Sequence, residues 1–157
     1  MDLERAKKYA VYLLSSKMYT CHEIHQKLVS KGYSDEVAEQ SVAELCKAGI
    51  LSDEQYAEFY IHDAANINMK GMYRIKQELL KKGIASSIID KAALKADVDT
   101  ADRLTEYVKA RFADKVFSDR KELEKAKAHL LRRGYGYSEI NECFKTLNIE
   151  VNGGDWD

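Results

Sequence analysis

The segment CHEIH, residues 21–25, places several side chains that can bind a metal close together. Cys21 and His25 are four positions apart, so a helix would bring both onto one face, where they could share an ion. The segment is not the HExxH motif, and no second group of ligands in the sequence completes a four-ligand site. Cys21 also falls on the apolar spacing of its helix. We therefore predict a core role for Cys21, and neither a metal site nor a cofactor.

The sequence contains no motif of an enzyme active site. It has no P-loop, no GxGxxG segment and no serine-nucleophile motif. Cys21, Cys46 and Cys143 are widely spaced and form no CxxC pair, which argues against a zinc ribbon or a disulfide framework. We expect each cysteine to fill a small buried apolar position in a reducing compartment. The chain is therefore predicted to have no catalytic residues.

The composition favours helices. The 157 residues include no proline and only eight glycines, whereas a β-rich protein needs turn residues at short intervals. The net charge of −1, from 25 basic and 26 acidic residues, gives no basic footprint for the whole chain. No apolar run approaches the roughly 18 residues of a membrane span, and no signal peptide is visible. We predict a soluble cytoplasmic protein without a membrane partner.

Three similar segments end at glycine with one interval between them: LVSKGY, LLKKGI and LLRRGY. Their glycines are Gly32, Gly83 and Gly134, so the intervals are 83 − 32 = 51 and 134 − 83 = 51. Each glycine suits the left-handed C-cap of a helix, and the basic residue before it complements the helix dipole. The regular interval predicts tandem structural repeats.

Each repeat is predicted to contain three helices. The helix before each glycine carries an apolar stripe at helical spacing, formed by Cys21, Ile24 and Leu28, by Met72, Ile75 and Leu79, and by Leu123, Ala126 and Leu130. N-terminal capping boxes are predicted at Thr20–Glu23 and Ser52–Gln55, with a weaker one at Asp119–Glu122. Preceding helices are predicted over Ala6–Leu14, Tyr56–Ala64 and Leu104–Phe117, and a further helix follows each glycine.

The predicted fold is all-α, with three tandem three-helix repeats at residues 1–50, 51–98 and 99–150 and a flexible tail at 151–157. A repeat of about 50 residues barely buries a core alone, so neighbouring repeats must stack. Stacking predicts an elongated array that can curve, a form suited to binding along a long partner.

A basic stripe recurs opposite the apolar face of the striped helices. Lys70, Arg74 and Lys81 return 51 residues later as Lys121, Lys125 and Arg132, whereas the first repeat has no cation at these positions. The candidate binding residues are these six together with the cations before the glycines, Lys82 and Arg133. The functional interpretation is a surface for phosphates or acidic protein groups, with weak, salt-dependent binding of single- or double-stranded DNA. The alternative is a solvated helix face.

Tyr73, Tyr135 and Tyr137 adjoin these basic residues. Their rings suit either stacking on nucleic-acid bases or packing in the core.

The chain resembles the RecX regulatory proteins in LSDEQYAEFYI, in KGMYRIKQELLKKGI and in the recurring helix ends. The most specific positions are Gly71, Ile75, Glu78, Leu79, Lys82 and Gly83, with Asp53 and Ala57 upstream. The family often has an arginine between these blocks, where this chain reads HDAANINM. The resemblance implies a modulator of the RecA recombinase that lies in the groove of the RecA–DNA filament. Such a protein inhibits filament growth, ATP hydrolysis and strand exchange in recombination, DNA repair and SOS regulation, and we expect it to be a monomer.

Three other functions fit the same residues. A general DNA-binding protein would need no recombinase, and a protein scaffold would bind no DNA. A helix-turn-helix regulator would place the last helix of a repeat in the major groove, where acidic side chains would be repelled by phosphates. The predicted last helices carry such side chains: Asp35, Glu36, Glu39, Glu44, Asp90, Glu139 and Glu142. The helix-turn-helix interpretation is therefore weaker than the recombinase interpretation.

Overall fold

The computed structural model describes residues 2–112 and 116–150. Within these residues the chain forms nine α-helices and no strand, which confirms the all-α prediction. The helices are α1 (Asp2–Leu14), α2 (Cys21–Lys31), α3 (Asp35–Lys47), α4 (Asp53–Asn66), α5 (Met72–Lys81), α6 (Ser86–Ala96), α7 (Thr100–Phe112), α8 (Arg120–Arg132) and α9 (Tyr137–Thr146). No helix in this part of the chain is both long and apolar enough to cross a membrane. The predicted tail at 151–157 lies outside the described residues.

Several helices begin at the interval seen in the glycines. The start of α5 follows that of α2 by 72 − 21 = 51 residues, and the start of α6 follows that of α3 by 86 − 35 = 51. The start of α9 follows that of α6 by 137 − 86 = 51. By contrast, α8 begins 120 − 72 = 48 residues after α5, because Asp119 caps it three residues earlier.

The predicted helix starts carry the expected caps. Thr20 accepts a hydrogen bond from the N–H of Glu23 while the Glu23 carboxylate accepts one from the N–H of Thr20, which confirms the capping box. Ser52 accepts from the N–H of Gln55, and Asp119 from the N–H of Glu122. The Glu122 carboxylate also accepts hydrogen bonds from Ser118, one residue before the cap.

The helix predicted over Leu104–Phe117 was too long, since α7 ends at Phe112. Asp119 caps α8 with an extended backbone, φ −150° and ψ 170°, so the chain must leave the helical conformation before that residue. Phe117 lies outside the helices but remains fully buried, with its ring centroid 6.1 Å from that of Phe112. Apolar spacing alone does not distinguish a helical position from a buried residue in the following loop.

The residues group into two compact units. Unit 1 comprises the described residues of the ranges Met1–Tyr60 and Glu78–Ala96. In it, α1 and α2 both pack against α3, around a core formed by Ala6, Ala10, Ile24, Leu28, Ala38, Leu45 and Leu51. Ile24 and Leu28, predicted from the stripe, are fully buried.

Unit 2 comprises the described residues of the ranges Ile61–Gln77 and Asp97–Asp157. Here α7 and α8 pack against α9. Its core includes Leu104, Val108, Phe117, Leu123, Leu130, Tyr135, Ile140 and Phe144. Leu123 and Leu130, like Ala126 between them, confirm the predicted apolar stripe of α8.

The prediction of three buried cysteines was wrong for two of them. Cys143 is buried, but Cys21 is only half-buried and Cys46 is exposed. The spacing placed Cys21 correctly on the core side of the helix, yet it is the first residue of α2, where the core covers the side chain only in part.

Candidate functional site

The first turn of α5 meets the last turn of α8 in unit 2. The N–H of Gly71 donates to the carbonyl of Arg133 at 2.9 Å, and the N–H of Tyr73 donates to the carbonyl of Gly134 at 3.1 Å. The amides at a helix start and the carbonyls at a helix end lack intrahelical partners, so these two ends satisfy each other. We call this contact the α5–α8 junction.

Two side chains that follow the end of α8 donate hydrogen bonds to carbonyls of the loop before α5. The Arg133 guanidinium donates to the carbonyls of Asn68 and Met69 and lies over the Tyr107 ring, 4.8 Å from its centroid. The Tyr135 hydroxyl donates to the Met69 carbonyl at 2.7 Å. Met69 has φ 51°, an unusual conformation for a residue with a side chain, and these bonds stabilise it. Arg133, predicted as a binding residue, therefore has a structural role here.

The α5–α8 junction brings predicted binding residues from two helices together. Lys70 and Arg74 flank the start of α5, and Arg132 ends α8 next to the bonded carbonyls. Arg74 and Arg132 are exposed and Lys70 is half-buried. Two further exposed cations, Lys121 and Lys125, lie in the first and second turns of α8, on the same face as Arg132. These five residues form what we call the unit 2 basic surface.

Two aromatic rings lie beside the unit 2 basic surface. Tyr73 is 72% exposed and Tyr137 is 53% exposed. A Cβ added at Gly136 would lie 3.2 Å from the Tyr73 ring, so this ring lies against the residue that precedes Tyr137. Tyr135 is buried, which confirms packing for that residue, whereas Tyr73 and Tyr137 remain available for stacking.

The structure adds a cation that the alignment of the three repeats did not identify. The positive charge of Arg111, near the end of α7, affects the titration of His129, as do the charges of Arg132 and Arg133. The Tyr107 hydroxyl lies 2.7 Å from His129 Nε2. Burial lowers the pKa of His129 below its ordinary value, and these three positive charges lower it further. Arg111 was missed because the comparison covered only the striped helices. The shift in pKa indicates that positive charge converges at this end of α8.

The remaining predicted site residues belong to unit 1. Lys81, the last residue of α5, is exposed. Lys82 is half-buried, with its Nζ 3.7 Å from Glu23 Oε2 and about 6 Å from the rings of Tyr56 and Tyr60. Lys82 therefore packs within unit 1, as Arg133 does within unit 2.

The segment CHEIH does not form a metal-ligand cluster. Within residues 2–112 and 116–150, no three His, Cys, Asp or Glu side chains come together in a group that could hold a metal ion. Cys21 contacts Cys46, and His25 Nε2 lies 3.6 Å from Asp35 Oδ1. The side chains of the segment thus have separate local partners.

The lowered pKa of His129 predicts that the stability of the folded protein depends on pH. Because its folded-state pKa lies below the 6.5 of an unperturbed histidine, the unfolded chain binds more protons between the two values. The stabilising contribution is therefore fully present above pH 6.5 and is lost as the pH falls toward the folded-state pKa. We expect Arg111→Gln to raise the pKa of His129 in an NMR titration of the imidazole ring. Lys109→Gln, on the same helix, is the matched control, and equal shifts in both variants would contradict the proposed convergence of charge.

Family models and relatives of known sequence match most of the chain. The family model "RecX, first three-helix domain" matches residues 6–45, and "RecX, second three-helix domain" matches residues 52–92. The regulatory protein RecX of Trichlorobacter lovleyi is 32% identical over 140 residues, which cover 87% of this chain and 91% of the relative. That of Clostridium acetobutylicum is 34% identical over 157 residues, covering 94% of this chain and 71% of the relative.

A solved structure has the same fold. The crystal structure of RecX from Lactobacillus salivarius superposes with a TM-score of 0.78 at 28% identity, covering 94% of this chain and 97% of that chain. The matches to both domain models, and to relatives that are covered over 91% and 71% of their own length, agree with the expectation drawn from the sequence blocks around Gly71 and Gly83. The chain belongs to the RecX family of regulatory proteins.

Proposed function

We propose that this chain binds the RecA–DNA filament as a monomer in the cytoplasm and inhibits filament growth, ATP hydrolysis and strand exchange. Membership of the RecX regulatory family is the observation that carries this proposal. The function belongs to recombination, DNA repair and SOS regulation. It requires no catalytic group, because inhibition follows from occupying the surface on which a filament extends.

The unit 2 basic surface is the proposed contact for phosphates or for acidic groups of the recombinase. Arg74, Lys121, Lys125 and Arg132 are exposed cations, and Arg111 adds charge at the same end of α8. Cations of this kind release counterions when they contact phosphates, so binding will weaken steeply as salt rises. In unit 1, exposed Lys81 is proposed to make a further contact of the same type.

The net charge supports a filament over naked DNA as the target. At −1, the whole chain has no long-range attraction to a polyanion, so affinity for bare DNA should be modest. A protein–DNA filament offers phosphates to the cations and protein surface to the rest of the chain. The exposed Tyr73 and Tyr137 rings suit the unstacked bases of single-stranded DNA.

The test is RecA's ATP hydrolysis on single-stranded DNA, measured while this protein is titrated from far below the RecA concentration. We expect inhibition, because a bound inhibitor blocks addition of further RecA subunits. Inhibition at a small ratio to RecA indicates blocked filament ends, and inhibition only near one-to-one indicates coating of the groove. Unchanged hydrolysis at saturating protein would overturn the recombinase proposal.

A parallel measurement separates the alternative of a general DNA-binding protein. Fluorescence anisotropy with labelled single-stranded DNA gives the affinity with and without RecA. We expect tighter binding when RecA is present. Equal affinity in both conditions, with unchanged ATP hydrolysis, would favour the general DNA-binding protein. Absence of DNA binding at low salt, again without inhibition, would favour a protein scaffold.

A further inference from the structure

Two of the three free cysteines lie side by side in unit 1. Cys21 Sγ and Cys46 Sγ are 3.3 Å apart, although 25 positions separate the residues in the sequence. A disulfide bond has an S–S length of about 2.05 Å, so a relative movement of roughly 1 Å would join the sulfurs. We propose that Cys21 and Cys46 form a reversible intramolecular disulfide when the protein meets a peroxide.

The pair is accessible to a small oxidant. Cys46 is exposed at the end of α3, and Cys21 is half-buried at the start of α2. Both line an open surface cleft whose charged residues are Asp53, Glu54, Glu58 and Lys95. Because three of these four charged residues are acidic, the cleft disfavours anionic oxidants such as glutathione disulfide, whereas neutral hydrogen peroxide can enter. The chemistry of the cleft therefore selects peroxide as the oxidant class.

The environments of the two sulfurs assign their roles. Burial raises the pKa of the Cys21 thiol, and its hydrogen bond with Cys46 and the nearby Asp53 carboxylate raise it further. Asp53 is held in this place because its Oδ1 accepts the N–H of Cys21 at 2.8 Å. Cys21 thus stays protonated, and the exposed Cys46 is the sulfur that attacks the peroxide.

The reaction balances without any other reactant. The Cys46 thiolate attacks one oxygen of hydrogen peroxide, the O–O bond breaks, and hydroxide leaves as a sulfenic acid forms on Cys46. The hydroxide takes up the proton released by the Cys46 thiol and becomes water. The Cys21 sulfur then attacks the Cys46 sulfur, the S–O bond breaks, and the hydroxyl leaves with the Cys21 proton as a second water. Two thiols lose two electrons, and one peroxide is reduced to two water molecules.

The disulfide would join the first residue of α2 to the end of α3. These helices already pack together in unit 1, so the bond constrains the unfolded chain more than it changes the folded one. Cys143 is not an alternative partner, because it is buried in the core of unit 2 beside Thr105. We expect oxidation to raise the Tm by roughly 5 to 10 °C, and a dithiol reductant to reverse the change.

The test treats the full chain with hydrogen peroxide and then labels the remaining thiols with a maleimide under denaturing conditions. We expect the labelled cysteines to fall from three to one, with Cys143 labelled, and peptide mapping to find a Cys21–Cys46 link. Cys143→Ser should fall from two labelled thiols to none. Cys46→Ser should form no intramolecular link and show no rise in Tm after treatment.

Two results would overturn the proposal. One is retention of a labelled Cys21 after Cys46 has been oxidised to sulfinic acid. The other is a link formed only between two copies of the chain, which non-reducing electrophoresis would reveal as a dimer. Cys46→Ser changes one atom of an exposed side chain and Cys143→Ser changes one atom of a buried side chain, so both variants should retain the helical content of the parent by circular dichroism.

Discussion

Replacing Lys121, Lys125 and Arg132 together by glutamine is expected to weaken binding to single-stranded DNA by roughly 30- to 100-fold near 0.15 M salt. All three side chains are exposed on one face of α8. Each phosphate contact on a single strand contributes about 0.7 to the log–log dependence of affinity on salt, so three lost contacts lower the slope by about 2. Anisotropy titrations at several salt concentrations measure both quantities. The same variant should need a higher concentration to inhibit RecA's ATP hydrolysis.

The matched control replaces Lys8, Lys47 and Lys91 by glutamine. These lysines are also exposed on helices, and their loss changes the net charge by the same amount. If the unit 2 basic surface contacts phosphates, the control retains nearly the affinity of the parent. Equal weakening in both variants would attribute binding to overall charge. If the α8 variant binds single-stranded DNA as tightly as the parent does, the basic stripe of α8 is only a solvated helix face.

Replacing Gly134 by alanine is expected to destabilise the protein by at least about 2 kcal/mol more than replacing Gly32. Both glycines have a left-handed backbone, φ 103° and φ 114°, which costs a residue with a side chain roughly 1–2 kcal/mol. The surroundings differ. A Cβ at Gly134 would lie 2.3 Å from the Arg74 Cβ and 2.8 Å from the Gly71 carbonyl oxygen, whereas a Cβ at Gly32 would meet nothing within 4 Å.

Urea unfolding of the two variants measures the difference in the free energy of unfolding. Since a domain is stable by only about 5–15 kcal/mol, Gly134→Ala should unfold at a much lower urea concentration. Gly71→Ala offers a second approach to the same contact, because its Cβ would lie 2.3 Å from the backbone of Gly134. Equal losses for Gly32→Ala and Gly134→Ala would show that only the left-handed conformation matters. That outcome would refute the close contact at the α5–α8 junction.

The glycines show how much of the fold could be predicted from the sequence. Their role as helix C-caps was predictable because a C-cap depends only on neighbouring residues, and Gly32, Gly83 and Gly134 all have the left-handed backbone. The second reason for glycine is a tertiary contact. A Cβ at Gly83 would lie 2.4 Å from the His22 Cβ within unit 1, just as one at Gly134 would collide with Arg74 within unit 2.

The same contact recurs in the hydrogen bonds. In unit 1 the buried Thr20 hydroxyl donates to the carbonyl of Lys82 at 2.8 Å. In unit 2 the N–H of Gly71 donates to the carbonyl of Arg133 at 2.9 Å. Both residues of the second pair lie 51 positions after those of the first (71 − 20 = 51 and 133 − 82 = 51). The interval therefore marks where the end of one helix meets the start of another, a relation that a C-cap signal alone does not contain.

The candidate site was harder to predict from the sequence than the fold, because it depends more strongly on tertiary contacts. The recurring spacing identified the exposed cations Lys121, Lys125 and Arg132, because residues on one face of a helix follow from its period. The spacing did not distinguish them from Arg133, whose guanidinium binds the carbonyls of Asn68 and Met69. The sequence shows that a residue is charged, but only its neighbours in the fold decide whether that charge is left for a partner.

By itself the sequence determined the all-α fold, the helix caps at Thr20, Ser52 and Asp119, most of the buried stripe positions and the family. Each of these follows from residues within a few turns of one another or from an ordered set of motifs. Tertiary structure alone decided that Arg111 and Arg132 act together on His129, and that Cys21 and Cys46 lie in contact. These pairs come from different helices, and no local pattern encodes the distance between them. Their proximity is set by how the apolar faces of the helices pack.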